Sequence, residues 1–227
     1  SSAASDVYKR QATLVLLGFA ITVAASFPIG IATAKRAGGK LDRAITVFNQ
    51  VCMSIPPVFV GILLCFVFGI TLRVFVPGRF VTFGEDPGGF LLYMLFPALA
   101  VALSRIAMTV KMLRSSILDE MEKDYIRTAF SRGWTRVDAL KKHALRNAII
   151  PVIAFLGVTA AELVAGSIVV EQVFAVPGLG QLLLSSIGSR DFPVAQAVVI
   201  LLATWVVVVN FIADVLYQYM DPRIRIR

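Results

Sequence analysis

Of the 227 residues, 58% are hydrophobic and only 16% are charged, well under the quarter that soluble domains carry. With a mean hydropathy of +0.81, the chain falls among membrane proteins rather than soluble enzymes. Its net charge of +8 invites a nucleic-acid reading, but basic residues in a polytopic protein gather in cytoplasmic loops and set its orientation; their placement below gives no nucleic-acid partner.

Residues 1–11, SSAASDVYKRQ, contain neither an initiating Met nor the apolar core of a signal peptide. They are expected to be a non-native or truncated start, which leaves 12–227 as one membrane domain. A helix needs about 20 apolar residues to cross hydrocarbon. Runs of that kind occupy 12–34, 47–75, 90–112, 149–170 and 194–216, predicting five spans and an all-α polytopic protein. Prolines fall inside or beside them at Pro28, at Pro56 and Pro57 in SIPP, at Pro97 and at Pro151. Each removes a backbone donor and tends to kink its helix, which suits a bundle that opens and closes; Pro56 and Pro57 are candidate gate residues. Cys52 and Cys65 lie in one apolar run, too far apart along a helix to pair, and read as small packing residues.

The connections differ sharply in charge. The first carries Lys35, Arg36, Lys40 and Arg43 against Asp42, and residues 105–146 carry ten Lys or Arg against five acids; both read as cytoplasmic. The 76–89 connection sets Arg79 against Glu85 and Asp86, and the 171–193 connection sets Arg190 against Glu171 and Asp191, so both read as external. The DPRIRIR tail then belongs in the cytoplasm. Five spans would place Lys9 and Arg10 outside, against the rule, so a further N-terminal span is expected to precede the visible one.

The basic segment 114–148 has its own pattern. Over 116–132, Ile117, Met121, Tyr125 and Ala129 recur every four residues, with Leu118 and Phe130 beside them, predicting an amphipathic helix. Asp119 with Lys123 and Asp124 with Arg127 are spaced to pair on it, and Gly133 supplies a stop. Thr135 and Asp138 have capping-box spacing, and Val137, Leu140, Ala144 and Ala148 continue an apolar stripe. The prediction is two short helices joined at a Gly-Trp elbow, lying on anionic lipid or docked against another protein.

Glu162 would stand near mid-bilayer, where an acid costs roughly 2.5 to 3.5 kcal/mol or more, so it must face protein or water: a pathway or gate residue, or one half of a buried pair. Asn210 and Asp214 share a helix face and read as structural. Gly157, Gly166 and Ser167 would let helices approach closely. The single histidine, His143, has no co-ligands near it, so no metal site is expected. Gly39-Lys40 lacks the following Ser or Thr and the earlier Gly of a phosphate-cradling loop, and no catalytic constellation is present. The 174–193 stretch, with PGLG and SRDFP around a short apolar run, predicts an interfacial helix between turns.

Around the elbow, Arg127-Thr128-Ala129, three residues and Gly133 are followed by Ile149-Ile150-Pro151, within the wording DYIRTAFSRG and HALRNAIIP. VVEQVFAVPGLGQLL, SRDFPVAQAVV and DPRIR come later in the same order. Over 12–227 the chain resembles the permeases of binding-protein-dependent ABC importers, specifically the B-type permease of the peptide and nickel subfamily. It departs from the general loop signature in having Arg127 and Thr128 where Glu and Ala are usual. The resemblance implies a type I ABC importer transmembrane domain in the cytoplasmic (inner) membrane of a prokaryote, in contact with membrane lipid. It implies three kinds of partner: a C-type permease completing a heterodimer, two cytoplasmic ATPase subunits holding ATP and Mg, and an external solute-binding protein. This chain itself would bind no cofactor and catalyse nothing. Its cargo would be di- or oligopeptides, with nickel chelates, glutathione or another small solute as the alternative.

The same resemblance assigns the ATPase-coupling role to Tyr125, Arg127, Thr128, Ala129, Phe130, Arg132, Gly133 and Trp134. It turns Pro177, Gly178, Gly180, Arg190 and Asp191 toward the binding protein and outer gate. A reading of a different class, an autonomous channel or ion-coupled carrier, is encouraged only by Glu162.

Overall fold

The computed structural model describes residues 2–220, within which all regular structure is helical. The DPRIRIR tail and its expected cytoplasmic placement lie outside the described residues. Nine α-helices follow in order: α1 Ser2–Lys35, α2 Lys40–Ser54, α3 Pro57–Leu64, α4 Pro87–Met121, α5 Asp124–Ser131, α6 Arg136–Ala139, α7 Leu145–Phe174, α8 Leu179–Gly188 and α9 Phe192–Met220. Wider π turns extend α3 over Cys65–Thr71 and join α6 to α7 over Leu140–Ala144.

Four helices are long and apolar enough to cross a membrane: Lys9–Lys35, Pro87–Met121, Arg136–Phe174 and Phe192–Val215. The span expected over 47–75 is a broken one, made of α2 and α3 meeting at 97°. Local backbone chemistry accounts for the break. A residue before proline is pushed out of the helical region, and two prolines in a row do this twice: Ile55 lies at φ −89°, ψ 122° and Pro56 at φ −62°, ψ 142°. Pro57 then opens α3 at its first turn, where the lost N–H would have had no intrahelical partner.

The basic segment also differs from the expected hairpin. The 116–132 periodicity is divided between the end of α4 and the separate α5, with a turn at Glu122 and Lys123. The helix opened by Thr135 does not end before the membrane, but runs through the π turn into α7 as one 39-residue element, Arg136–Phe174. Between Ala139 and Ala148 there is no Gly or Pro, so nothing in the backbone ends the helix where polarity gives way to hydrocarbon.

The long helices pack with α4 at the centre, against α1 along its length and against α7, while α9 lies on the far side of α7. One core gathers Leu14, Met94, Val101, Leu163 and Phe174. At its α3–α4 end Phe75 stacks on Phe96 at 4.4 Å and meets Tyr93 edge-on at 5.4 Å. The Tyr93 hydroxyl donates to the Phe174 carbonyl and accepts from the Gly78 N–H at 3.1 Å. A second core, toward the basic segment, joins Ala34, Leu113, Ile117, Leu140, Val152 and Leu156. At Gly157 a Cβ would stand 2.2 Å from the Ala213 Cβ, so glycine is what lets α7 and α9 touch. Gly166 has room to spare.

Candidate functional site

The expected coupling residues are held by two local devices. The first terminates α5. Gly133 adopts φ +84°, the left-handed conformation that costs other residues most. Its N–H donates to the Phe130 carbonyl at 2.9 Å and the Trp134 N–H to the Ala129 carbonyl at 3.2 Å, the paired bonds of a Schellman stop. Trp134 then lies edge-on to His143 at 5.0 Å, with the Lys142 ammonium 4.6 Å above its ring. Thr135 caps α6: its hydroxyl oxygen accepts from the Asp138 N–H at 3.2 Å while the hydroxyl donates to the Asp138 carboxylate at 2.6 Å. The elbow is therefore pinned on both sides.

The second device fastens α5 to the spans. Ile126 is wholly buried among Met121, Ala139 and Ala144, and Ala129 is buried as well. The Tyr125 hydroxyl donates to Glu120 of α4 at 2.7 Å and accepts from Asn147 of α7 at 3.1 Å. Lys123 pairs with the same carboxylate at 2.5 Å, not with Asp119 as its spacing suggested. Burial, and after it the adjoining Glu120 carboxylate, push the Tyr125 phenol up to about 12. Ala129 and the hydroxyl of Tyr125 thus serve this chain's own packing, while Arg127, Thr128, Phe130, Arg132 and Gly133 are exposed. The expected Asp124–Arg127 pair forms at 3.4 Å, but its side chains are 95% and 76% exposed, a setting in which such a pair contributes little. No acid contact was foreseen for Arg114, which grips Asp42 through two bonds of 2.6 and 2.7 Å. Asp42 is buried and also accepts from the Gly38 N–H at 2.8 Å, so the α1–α2 turn is tied to α4.

Within the spans, Glu162 of α7 pairs with Arg105 of α4. Arg105, counted from sequence among the charges of the cytoplasmic 105–146 stretch, is held inside the bundle, with the Met108 sulfur 3.8 Å from its guanidinium. The Glu162 side chain is 46% exposed and that of Arg105 20%. Pro56 and Pro57 belong to a different element, at the α2–α3 bend.

In the 171–193 connection, α7 ends at Ala175 in a left-handed turn and α8 forms the expected short helix. Glu171 is buried, and one carboxylate oxygen accepts from the N–H groups of Gly180 and Gln181 at 2.8 and 3.3 Å. A Cβ on Gly178 would lie 2.3 Å from that oxygen, so the PGLG turn is shaped around the Glu171 carboxylate. Pro177 accepts from Arg10 at 3.2 Å, Arg10 stacks over Phe80 at 5.1 Å, and Gln11 donates to Ser167 at 2.6 Å. Pro177, Gly178 and Gly180 are therefore brought together. Arg190, at φ 58°, and Asp191, whose carboxylate accepts from the Val194 N–H at 3.3 Å, form the separate α8–α9 turn. Glu171 reads only as a loop charge in the sequence; its place seven residues before the first of two closely spaced glycines does not by itself reveal the contact. Among the described residues no group of His, Cys, Asp and Glu could hold a metal ion, and Cys52 and Cys65 are free thiols.

Residues 26–226 match the family described as the binding-protein-dependent transport system inner membrane component. The chain is 37% identical over 213 residues to a putative peptide transport system permease protein of Brucella abortus, covering 94% of this chain and 68% of that protein. It is 38% identical to the oligopeptide transport system permease protein AppB of Bacillus subtilis, covering 93% and 67%, and 32% identical to the dipeptide transport system permease protein DppB of the same organism, covering 94% and 67%. Its fold matches a chain of the MetNI methionine ABC transporter in crystals of inward-facing conformations, with a TM-score of 0.74 at 18% identity over 96% of each chain. The chain accordingly belongs to the binding-protein-dependent inner membrane component family, as a multi-pass, non-catalytic permease subunit of an ABC transporter that works with ATPase partners.

Proposed function

We propose that this chain is the B-type permease of an importer of di- or oligopeptides. It pairs with a C-type permease, receives cargo from an external solute-binding protein, and is driven by two ATPase subunits that hold ATP and Mg. The observation that carries the cargo is the similarity, over more than nine tenths of the chain, to permeases named for peptide transport in two genera.

Chemistry divides the labour in the same way. The basic 105–146 region favours the cytoplasmic side, and with it the C-terminus. There the exposed face of α5, with Arg127, Thr128, Phe130 and Arg132 around Gly133, is a rigid knob fit for a cleft in an ATPase, while Tyr125, Ala129 and Trp134 brace it from behind. The opposite end, with Pro177, Gly178, Gly180, Arg190 and Asp191, is turned toward the binding protein. The test is uptake by the assembled transporter in liposomes, with binding protein outside and ATP inside. Peptides are expected to accumulate in an ATP-dependent manner; uptake of a nickel chelate or glutathione in place of any peptide would overturn the cargo assignment.

A further inference from the structure

Arg105 and Glu162 are the only charged residues of their helices over long stretches: none other occurs on α4 between residues 87 and 110 or on α7 between 147 and 170. Each lies many residues from either end of its span. Their ion pair joins the two helices, yet nearly half of the Glu162 side chain and a fifth of Arg105 remain uncovered by this chain. Hydrocarbon does not tolerate a half-exposed carboxylate at such depth. Around it the exposed face of α7 holds Val158, Ala165 and Val169, which are compact and uncharged and leave the acid standing clear of its neighbours.

From this placement we infer that the Arg105–Glu162 pair lines the aqueous path and reads the two ends of a dipeptide, whose termini are close enough for one adjacent pair to take both, Glu162 taking the terminal ammonium and Arg105 the terminal carboxylate. The inference rests on the peptide reading above. Side chains differ from one peptide to the next, but at neutral pH every unmodified peptide carries those two termini, so a pair of opposite charges is a recognition element that serves any sequence. Arg suits the carboxylate, since its planar fork donates two parallel bonds. Without cargo the two residues satisfy each other, leaving no lone charge in the path. With cargo the internal pair is exchanged for two external ones, and charge balance is kept throughout.

The test uses the assembled transporter with Cys52→Ala and Cys65→Ala, carrying either Val158→Cys or Ala165→Cys on the face beside Glu162. A charged, water-soluble thiol reagent is expected to label both positions, and dialanine added directly, without binding protein, to protect them. N-acetyldialanine and dialanine amide are expected to need about tenfold higher concentrations for the same protection, the loss of one charged hydrogen-bond partner. Glu162→Gln should abolish the penalty for the acetyl group and Arg105→Gln that for the amide, with Glu162→Asp retaining the wild-type ranking. A pair that only braces the helices would leave these ratios unmoved. The inference is overturned if neither cysteine is labelled, which would place the pair under the partner permease, or if free and blocked peptides protect equally. Labelling in a transporter that imports no binding-protein-delivered dialanine would overturn the peptide reading instead, and with it the cargo named for the pair.

Discussion

Single residues in this chain carry consequences that their exposure alone would hide. Gly133 has open space where a Cβ would go, so a side chain would meet no neighbour, but at φ +84° a β-branched residue is strained. Gly133→Val should cost about 1–2 kcal/mol locally. Because the strain falls on the elbow and not on the spans, membrane insertion should be normal while ATP-driven uptake falls more than tenfold, read by comparing yield in the membrane with transport rate. Asp42 presents the opposite case, a buried acid with two bonds from Arg114 and one from Gly38. Asp42→Ala leaves the part-exposed Arg114 without its partner and should destabilise the protein by about 1–3 kcal/mol, seen as a lowered unfolding temperature. Arg114→Lys should fall between that variant and wild type, since an ammonium cannot reproduce the two-pronged geometry.

At the scale of elements, the node of Tyr125, Glu120 and Asn147 ties α5 to both α4 and α7 with one phenol. Tyr125→Phe keeps the ring and removes both hydrogen bonds, at a net cost of about 0.5–1.5 kcal/mol for each. Amides of residues 124–131 should exchange faster with deuterium while those in the middle of α4 are unaffected. Which elements were legible in the sequence follows from how local their causes are. The Thr135–Asp138 cap and the Gly133 stop were readable because each is settled within six residues. The broken span was only half readable: SIPP announced a kink, but a full 97° bend requires both Ile55 and Pro56 to be extended, a joint property that a hydropathy window cannot register. The junction of α6 with α7 is hidden in the sequence because a change from polar to apolar side chains suggests a boundary there, whereas the backbone continues helical across it. Arg105 with Glu162, 57 residues apart, and Arg114 with Asp42, 72 apart, were each seen singly, since nothing in one sequence links partners at that distance.

For the whole molecule, the decisive contact is where α9 meets α7. Beyond Leu202, which with Val198 is buried in the main core, that outer helix is lightly anchored, with Val207, Phe211 and Ile212 all more than half exposed, so the placing of its second half depends on the close approach at Gly157. Gly157→Ala should push the helices apart and cost about 1–3 kcal/mol through overpacking. Ala213→Gly in the same chain should recover most of the loss, and a double-mutant cycle on thermal unfolding would measure the coupling.

The continuity of Arg136–Phe174 carries a mechanical corollary. Thirty-nine residues make a shaft about 58 Å long, with the elbow at one tip and the Glu171 grip on α8 near the other. Pivoted at its crowded middle, such a shaft behaves as a seesaw: tilting one tip inward swings the opposite tip outward. Events at the two faces of the bilayer would then be in antiphase by geometry, with no relay through the connecting loops.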